Sequence, residues 1–261
     1  MQILDVVYFE YKKPPVDSEL VYIWDIDKTY LDTHFDTLRG LLRTAFEKAF
    51  QKRNVPGTAS LLRALTDENS NTPLYFISAS PPQMEPKIHQ KMRLDSIEPR
   101  GVFFKDNFKN FRPNKFKRLK QQVGYKIQAL LELRARLPEK IKMIMFGDDS
   151  ESDAVVYSLF SDICTRRLKK AEILSLLEAL HVLPEQRQRI MALQEKAPES
   201  DPVEKIYINL VADTDPEYYA KFGRRVLATF TTFQAALDLY QDDRIGEEAL
   251  VQVAADMIAN Y

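Results

Sequence analysis

The sequence has few of the residues that most often build catalytic and metal centres. Its 261 residues include one cysteine, Cys164, three histidines and seven glycines. A single cysteine excludes a disulfide within the chain and a cysteine-built zinc site. The histidines are widely scattered, which argues against a histidine metal centre or a Ser-His-Asp triad. None of the glycines forms a G-x-G-x-x-G turn or a Walker loop, so a glycine-rich phosphate-binding loop is excluded too.

The chain also lacks an excess of charge and a long apolar run. Lysine and arginine number 37, aspartate and glutamate 38, and the formal net charge is −1. No global basic charge draws the chain to nucleic acid or anionic lipid, so such a partner would have to contact a local patch. No run approaches the roughly 18 apolar residues of a membrane span, and the N-terminus lacks a basic signal region. We therefore expect a soluble, cytoplasmic protein without a transmembrane segment.

Short apolar runs alternate with helical patterns along most of the sequence. Strands are predicted over 21–26, 74–77, 101–104, 141–146, 205–211 and 226–230. Helices are predicted over 38–50, 60–66, 83–94, 126–137, 150–160, 231–241 and 247–259. The helix at 150 opens with Ser150-x-x-Asp153, which resembles a capping box. Such alternation predicts an α/β fold with a parallel, doubly wound sheet.

One segment interrupts this alternation. Two helical patterns, over 169–180 and 184–194, follow each other without a strand between them. We interpret residues 168–200 as a helical insertion, and residues 1–167 and 201–261 as the core domain.

Polar side chains with related chemistry follow the predicted strands. Asp25 and Asp27 end the first strand, Ser78 and Ser80 follow the second, and Lys126 stands at the start of a predicted helix. The acidic run Gly147-Asp148-Asp149-Ser150-Glu151-Ser152-Asp153 comes directly after the strand at 141–146. Parallel sheets bind ligands at the carboxyl ends of their strands, so we expect these elements to converge there.

The carboxylates in this set suit phosphoryl transfer assisted by Mg²⁺. Asp25 and Asp148 offer hard oxygen ligands that would hold the ion, and the Asp27 backbone carbonyl would add another. Either Asp149 or Asp153 would complete or orient the metal shell. Asp25 is the candidate nucleophile, which would form an aspartyl phosphate.

The remaining side chains suit the other requirements of that reaction. Asp27 would protonate the leaving oxygen and later deprotonate water. Ser78 would hydrogen-bond a phosphoryl oxygen, with Ser80 as the alternative residue for that contact. Lys126 would pair with the charge of the phosphoryl group in transit.

This ordered set resembles the four motifs of the haloacid dehalogenase (HAD) superfamily. The D-x-D-x-T motif at 25–29, the serine after the second strand, the lysine and the late G-D-D-x-x-x-D all match. The resemblance implies an HAD-like Rossmannoid three-layer fold and places Thr29 and Ser80 in substrate binding. The surrounding sequence, including Val55-Pro56-Gly57 and Gly101-Val102-Phe103-Phe104, is similar to the catalytic domain of the actin-patch-associated phosphatidate phosphatases. One departure is Lys28, where that family usually has a second aspartate.

The sequence leaves the substrate open between two classes of phosphatase. The stretch 105–126 is basic and carries three phenylalanines, Phe108, Phe111 and Phe116, with Asp106 as its only acid. It is either an ordinary solvated surface, or a docking surface for an anionic membrane or nucleic acid. The first function we expect is hydrolysis of a phosphorylated small molecule or phospholipid. The alternative is a nucleic-acid end phosphatase. A signalling receiver domain is about half as long and lacks the late G-D-D motif.

Overall fold

The computed structural model describes residues 5–12, 18–32, 53–66, 72–106, 115–150, 152–211 and 214–260, and of residues 115–121 only the backbone. Seven strands lie in this part of the chain: β1 (Val6–Glu10), β2 (Leu20–Asp25), β3 (Leu74–Ser78), β4 (Gly101–Lys105), β5 (Lys142–Asp148), β6 (Val203–Asn209) and β7 (Val226–Thr229). The described helices are α1 (Thr58–Leu65), α2 (Glu85–Leu94), α3 (Lys115–Arg134), α4 (Asp153–Cys164), α5 (Lys170–Ala179), α6 (Pro184–Gln194), α7 (Thr232–Gln241) and α8 (Glu247–Asn260). Short 3₁₀ helices cover Pro82–Met84 and Pro216–Phe222.

The strands form one sheet in the order β1-β4-β3-β2-β5-β6-β7. All neighbours pair in parallel except β1, which is antiparallel to β4 with Val6 opposite Lys105. From β2 the chain builds outward to β3 and β4 on one side, and from β5 to β6 and β7 on the other. The direction therefore reverses between β2 and β5, and in open parallel sheets such a switch point is where ligands bind.

Side chains alternate between the two faces of the sheet, and helices cover both faces. On one face Val21, Ile23, Met143 and Met145 pack in a core cluster with α3, α4, α5 and α6. On the other face Tyr22, Trp24, Ile144 and Phe146 pack with α1, α2, α7 and α8. All six residues of β2 are buried, as expected for a central strand covered on both sides. The predicted α/β class with its mainly parallel sheet is confirmed.

Two helices, α5 and α6, extend the connection between α4 and β6; α6 packs against α3, and α5 contacts α6. The close approach depends on Gly124, because a Cβ atom there would lie 2.3 Å from Gln186 Oε1 and 2.7 Å from Val182 Cγ1. The Gln186 amide donates in turn to Asp5 Oδ2 at 2.7 Å. The boundaries 168–200 for an insertion stay a prediction, but its two helices lie in one layer with the core helices.

Several sequence predictions need correction. The helix that carries Lys126 begins at Lys115, so Lys126 lies well inside it rather than at its start. The capping box at Ser150 is wrong: the helix begins at Asp153, Ser152 is left-handed at φ 67°, and the Ser150 N–H donates to Asp148 Oδ1 at 2.5 Å. Strand β1 was not predicted.

Other predictions lie beyond the structure or agree with it. The helix predicted over 38–50 falls outside the described residues, whereas α6 has the predicted bounds. Of the helices described, none is long and apolar enough to cross a membrane.

Candidate active site

The two strands at the switch point end in buried aspartates. Asp25 is the last residue of β2, Asp148 is the last of β5, and both have an exposed fraction of 0%. Trp24, one residue before Asp25, and Phe146, two residues before Asp148, are paired in register and stack with ring centroids 3.7 Å apart. Cross-strand aromatic pairs of this kind stabilise the sheet, so both carboxylates project from a rigid platform.

A buried lysine, Lys126, lies among these acids. Its Nζ is 2.9 Å from Asp25 Oδ1 and 2.5 Å from Asp153 Oδ1, and its side chain has no exposed surface. Helix α3 brings it there from the face of the sheet that carries the larger apolar cluster. Burying an ammonium group is costly unless it is paired, and here two carboxylates compensate it.

Asp153, the first residue of α4, connects the lysine to β5. Its Oδ1 accepts from Lys126, and its Oδ2 accepts from the Asp148 N–H at 3.2 Å. The close approach requires a glycine at 147, because a Cβ there would lie 2.4 Å from Asp153 Oδ2.

Three carboxylates converge tightly enough to hold a cation. One oxygen each of Asp25, Asp148 and Asp153 lies within 4.8 Å of the others, and all three residues are buried. Like charges this close repel strongly in a buried site, and a divalent cation would offset that repulsion together with Lys126. A set of carboxylate oxygens without nitrogen or sulfur suits a hard ion such as Mg²⁺.

The loop after β2 folds back on itself and is fixed from two sides. The Lys28 N–H donates to the Leu31 carbonyl at 2.8 Å, and the Lys28 carbonyl accepts from Asn209 Nδ2 at 3.2 Å. Lys28 has φ 60°, a left-handed conformation that is strained for a lysine. The turn places Thr29 so that its Oγ1 donates to Asp25 Oδ2 at 3.5 Å.

Asp27, two residues after Asp25, faces the loop after β3. Its Oδ2 accepts from Ser78 Oγ at 3.5 Å and from Ser80 Oγ at 3.3 Å, while the Ser80 N–H donates to Ser78 Oγ at 3.1 Å. Ser78 is fully buried and Ser80 is partly exposed. The two serines thus lie together, and both contact the Asp27 carboxylate.

Asp149 is placed differently from Asp153. Its Oδ1 accepts from the Val211 N–H at 2.8 Å, and its own N–H donates to the Asn209 carbonyl at 3.1 Å. It therefore ties the loop after β5 to the end of β6, and it is not part of the three-carboxylate cluster. Burial and the charge of Asp149 raise the pKa of nearby Tyr219 to about 12.

A buried tyrosine, Tyr157 of α4, lies beneath the cluster. Burial, followed by the charge of Asp153, raises the pKa of Tyr157 well above its ordinary value. The hydroxyl therefore stays protonated and donates to the Phe146 carbonyl at 3.1 Å.

The basic stretch 105–126 is described only in part. Lys105 is buried at the end of β4, and Lys126 belongs to the acidic cluster. Residues 107–114 and the side chains of 115–121 lie outside the described part of the chain.

The sequence analysis named Gly147 only as the first residue of the acidic run, without a role, and it did not name Asn209. Gly147 makes room for Asp153, and Asn209 holds the loop after Asp25. The sequence feature that indicates this role of Gly147 is its place between an apolar strand and a run of acids. Nothing in the sequence marked Asn209 as part of the site, because polar residues are common at the ends of strands.

A match to a known protein family covers this site. Residues 20–173 match the family "Phosphatidate phosphatase APP1, catalytic domain". The matched range begins at β2 and includes Asp25, Ser78, Lys126, Asp148 and Asp153. No curated protein matches the chain. The crystal structure of an HAD family hydrolase from Deinococcus radiodurans R1, with bound phosphate and sodium, is 12% identical and covers 86% of this chain and 95% of that chain. The TM-score of this match is 0.36.

Proposed function

The chain belongs to the family of phosphatidate phosphatase APP1 catalytic domains, and from that premise we propose that it is a Mg²⁺-dependent phosphatidate phosphatase with Asp25 as nucleophile. The family match confirms the predicted phosphatase, a hydrolase of phosphoric monoesters. The ion, the roles of the residues and the lipid substrate are the parts that we propose.

The observation that carries the proposal is the position of Asp25. Its carboxylate ends β2 at the switch point, with Lys126 Nζ at 2.9 Å and the carboxylates of Asp148 and Asp153 close by. One oxygen of Asp25 would attack phosphorus in line with the leaving oxygen, forming an aspartyl phosphate. The Thr29 hydroxyl, which contacts the other carboxylate oxygen, would keep the carboxylate oriented.

Asp27 is assigned the proton transfer. It lies two residues from the nucleophile on a loop fixed by Asn209. Its protonated carboxyl would donate to the leaving oxygen, and its carboxylate would then accept a proton from the water that hydrolyses the aspartyl phosphate. Ser78 and Ser80, which donate to Asp27, would turn a hydroxyl to a phosphoryl oxygen when substrate is bound.

Mg²⁺ would be held by the carboxylates of Asp25 and Asp148 and by the Asp27 carbonyl. When bound, it supplies charge neutralisation for the phosphate ester. We assign Asp153 rather than Asp149 to the support of this site, because both Asp153 oxygens already orient Lys126 and the Asp148 N–H. Lys126 would then pair with the charge of the phosphoryl group in transit.

The substrate we propose is phosphatidate, presented at an anionic membrane surface. The description of the matched family supports the lipid, and the basic residues between Lys109 and Lys120 support the surface, at about 1 kcal/mol per basic residue near anionic lipid. Replacing Lys115, Lys117, Arg118 and Lys120 by glutamine should weaken sedimentation with phosphatidate vesicles. The same replacements should leave turnover of a soluble ester unchanged.

The proposed function is tested by comparing three substrates with and without Mg²⁺. Purified protein would be assayed with dioctanoyl phosphatidate, 4-nitrophenyl phosphate and a 5′-phosphorylated oligonucleotide, in excess chelator and after addition of Mg²⁺. We expect turnover of the first two substrates only with Mg²⁺, and a preference in kcat/KM for phosphatidate. Full activity in chelator would overturn the metal assignment, and preference for the oligonucleotide would favour a nucleic-acid end phosphatase.

A further inference from the structure

One residue in the loop that follows the nucleophile, Lys28, has a backbone conformation that a lysine disfavours. Its φ is 60°, in the left-handed region, where the Cβ atom crowds the following carbonyl oxygen. Five other described residues besides glycine share this conformation, and each lies within two residues of a helix end: Ser96, Ser152, Arg166, His181 and Asp243. Left-handed residues are common where a chain enters or leaves a helix. Lys28 lies between Asp27 and Thr29, away from the ends of the described helices, so this explanation does not apply to it.

The backbone of Lys28 is anchored beside the strands that carry the acids. Its carbonyl accepts from Asn209 Nδ2 at 3.2 Å, and Asn209 is the register partner of Asp148. Its N–H donates to the Leu31 carbonyl at 2.8 Å. Lys28 is thus tied to the strand next to the one that ends in Asp148, and neighbouring strands are only about 4.8 Å apart. The long, flexible stem of a lysine spans such a distance.

The charge of Lys28 has no partner among the described residues. Its ammonium forms no hydrogen bond or ion pair within that part of the chain, and the residue is half-buried. Lys126 differs, because Asp25 and Asp153 enclose its ammonium. Backbone strain persists mainly where function requires it. A strained lysine with an uncompensated charge, next to the nucleophile, therefore points to a ligand.

An anionic substrate that approaches this edge of the sheet meets many negative charges. The acids that accompany Asp25 at and after the strand ends are Asp27, Asp148, Asp149 and Asp153. Their charges repel a phosphate ester. The charge of Lys126 is already compensated by two of these acids. Lys28 offers a positive charge that no described carboxylate compensates, and such a charge attracts a phosphate.

We propose that Lys28 is a substrate-binding residue whose ammonium pairs with the phosphate group of the ester. The inference rests on the proposed function and deepens it, because it assigns recognition of the phosphate to a residue outside the three-carboxylate cluster. Since the contact is with the phosphate and not with the leaving group, it serves every phosphomonoester that the site accepts.

The first test replaces Lys28 by methionine, which removes the charge and keeps an apolar stem. A hydrogen bond to a charged group corresponds to roughly a 10-fold effect or more. We expect KM to rise by about 10-fold at low salt for both dioctanoyl phosphatidate and 4-nitrophenyl phosphate, with kcat within about two-fold of wild type. The rise should shrink at high salt, which screens the pair. Lys28→Arg keeps the charge and should retain most of the affinity.

Lys28→Gly separates the side chain from the backbone, because glycine adopts φ 60° without strain. Its melting temperature should stay level or rise by up to about 4 °C, while KM rises as in Lys28→Met. His181→Gly is the control for strain, at φ 57° in the turn between α5 and α6. Lys140→Met is the control for loss of a lysine, since Lys140 is exposed in the loop before β5 at the opposite edge of the sheet. Both controls should keep the wild-type KM. An unchanged KM in Lys28→Met, or a loss confined to kcat, would overturn the proposal.

Binding of inorganic phosphate separates this inference from the proposed function. Phosphate would be titrated by calorimetry into wild type and Lys28→Met, each with Mg²⁺, and we expect about 10-fold weaker binding in the variant. Equal affinities, or no binding by wild type, would overturn the role of Lys28. Weaker binding in the variant, in a protein whose wild type hydrolyses neither ester, would support Lys28 and reject the proposed function alone.

Discussion

Gly147 allows a direct test of how the site is built, because the site has no room for a side chain at that position. A Cβ at 147 would lie 2.4 Å from Asp153 Oδ2, 2.5 Å from its Cβ and 2.7 Å from its Cγ. Real Cβ atoms essentially never approach within 3.0 Å of other heavy atoms, so in Gly147→Ala the Asp153 side chain or the backbone at 147 must shift until this contact opens from 2.4 to 3.0 Å, by 0.6 Å. Either movement disturbs the contacts that Asp153 makes with Lys126 and with the Asp148 N–H.

The expected cost of Gly147→Ala follows from two magnitudes. Overpacking a buried site destabilises by about 1–3 kcal/mol, so the melting temperature should fall by about 2–4 °C for each kcal/mol. A catalytic geometry displaced by ~1 Å loses about 10²-fold in rate, so a shift of at least 0.6 Å should lower kcat by roughly 10-fold or more.

The assay is 4-nitrophenyl phosphate turnover in Mg²⁺, with thermal unfolding followed by circular dichroism. Gly246→Ala is the matched control, because a Cβ at 246 meets no atom within 4 Å. This control should match wild type in kcat, because position 246 precedes α8, far along the chain from the site. Wild-type kcat in Gly147→Ala would refute the view that the Asp153 contacts position the site.

Three further predictions concern proton transfer, packing and pH. Asp27→Asn should slow turnover of an alkyl phosphate by about 10²–10⁴-fold. It should slow phosphorylation of the enzyme by 4-nitrophenyl phosphate less, because that leaving group needs less protonation. Equal losses of the phosphorylation rate with both substrates would contradict the role of Asp27. Gly124→Ala should destabilise the protein by about 1–3 kcal/mol despite the ~1 kcal/mol gain in helix propensity, because its Cβ would meet Gln186. In denaturant unfolding, adding Gln186→Ala should recover part of the lost stability. An increase in stability in Gly124→Ala alone would contradict this packing. Burial raises the pKa of Asp95, but hydrogen bonds from Lys91, Tyr30 and Asn54 outweigh it and hold the pKa below the ordinary value. The stability that Asp95 contributes is therefore fully present above about pH 4 and is lost as the pH falls through the folded-state pKa. The difference in unfolding free energy between wild type and Asp95→Asn should narrow in acid. A difference that does not change with pH would contradict this assignment.

The strands and the meeting of the acids were predictable because both follow from local pattern. A buried run that ends in acids predicts β2, and parallel strands bring Asp25 and Asp148 to one edge. Helix α6 was predicted within its observed bounds, since Pro184 marks its first turn.

The failures have physical causes as well. The start of α3 was misplaced because four of the six residues 115–120 are basic, so this turn was interpreted as part of a basic surface stretch, although Phe116 and Leu119 have helical spacing. The capping box predicted at Ser150 does not form, because the Ser150 N–H donates to the Asp148 carboxylate. Strand β1 depends on pairing with β4, which lies about a hundred residues later, and no local pattern encodes that contact.

The central claim is that Asp25 carries the phosphoryl group during turnover. Wild-type protein would be mixed with dioctanoyl phosphatidate and Mg²⁺, quenched in acid, reduced with borohydride and digested for mass spectrometry. Because borohydride converts an aspartyl phosphate to homoserine, the account predicts homoserine at position 25, absent without substrate and absent in Asp25→Asn. Homoserine at another aspartate, or turnover retained in Asp25→Asn, would contradict it.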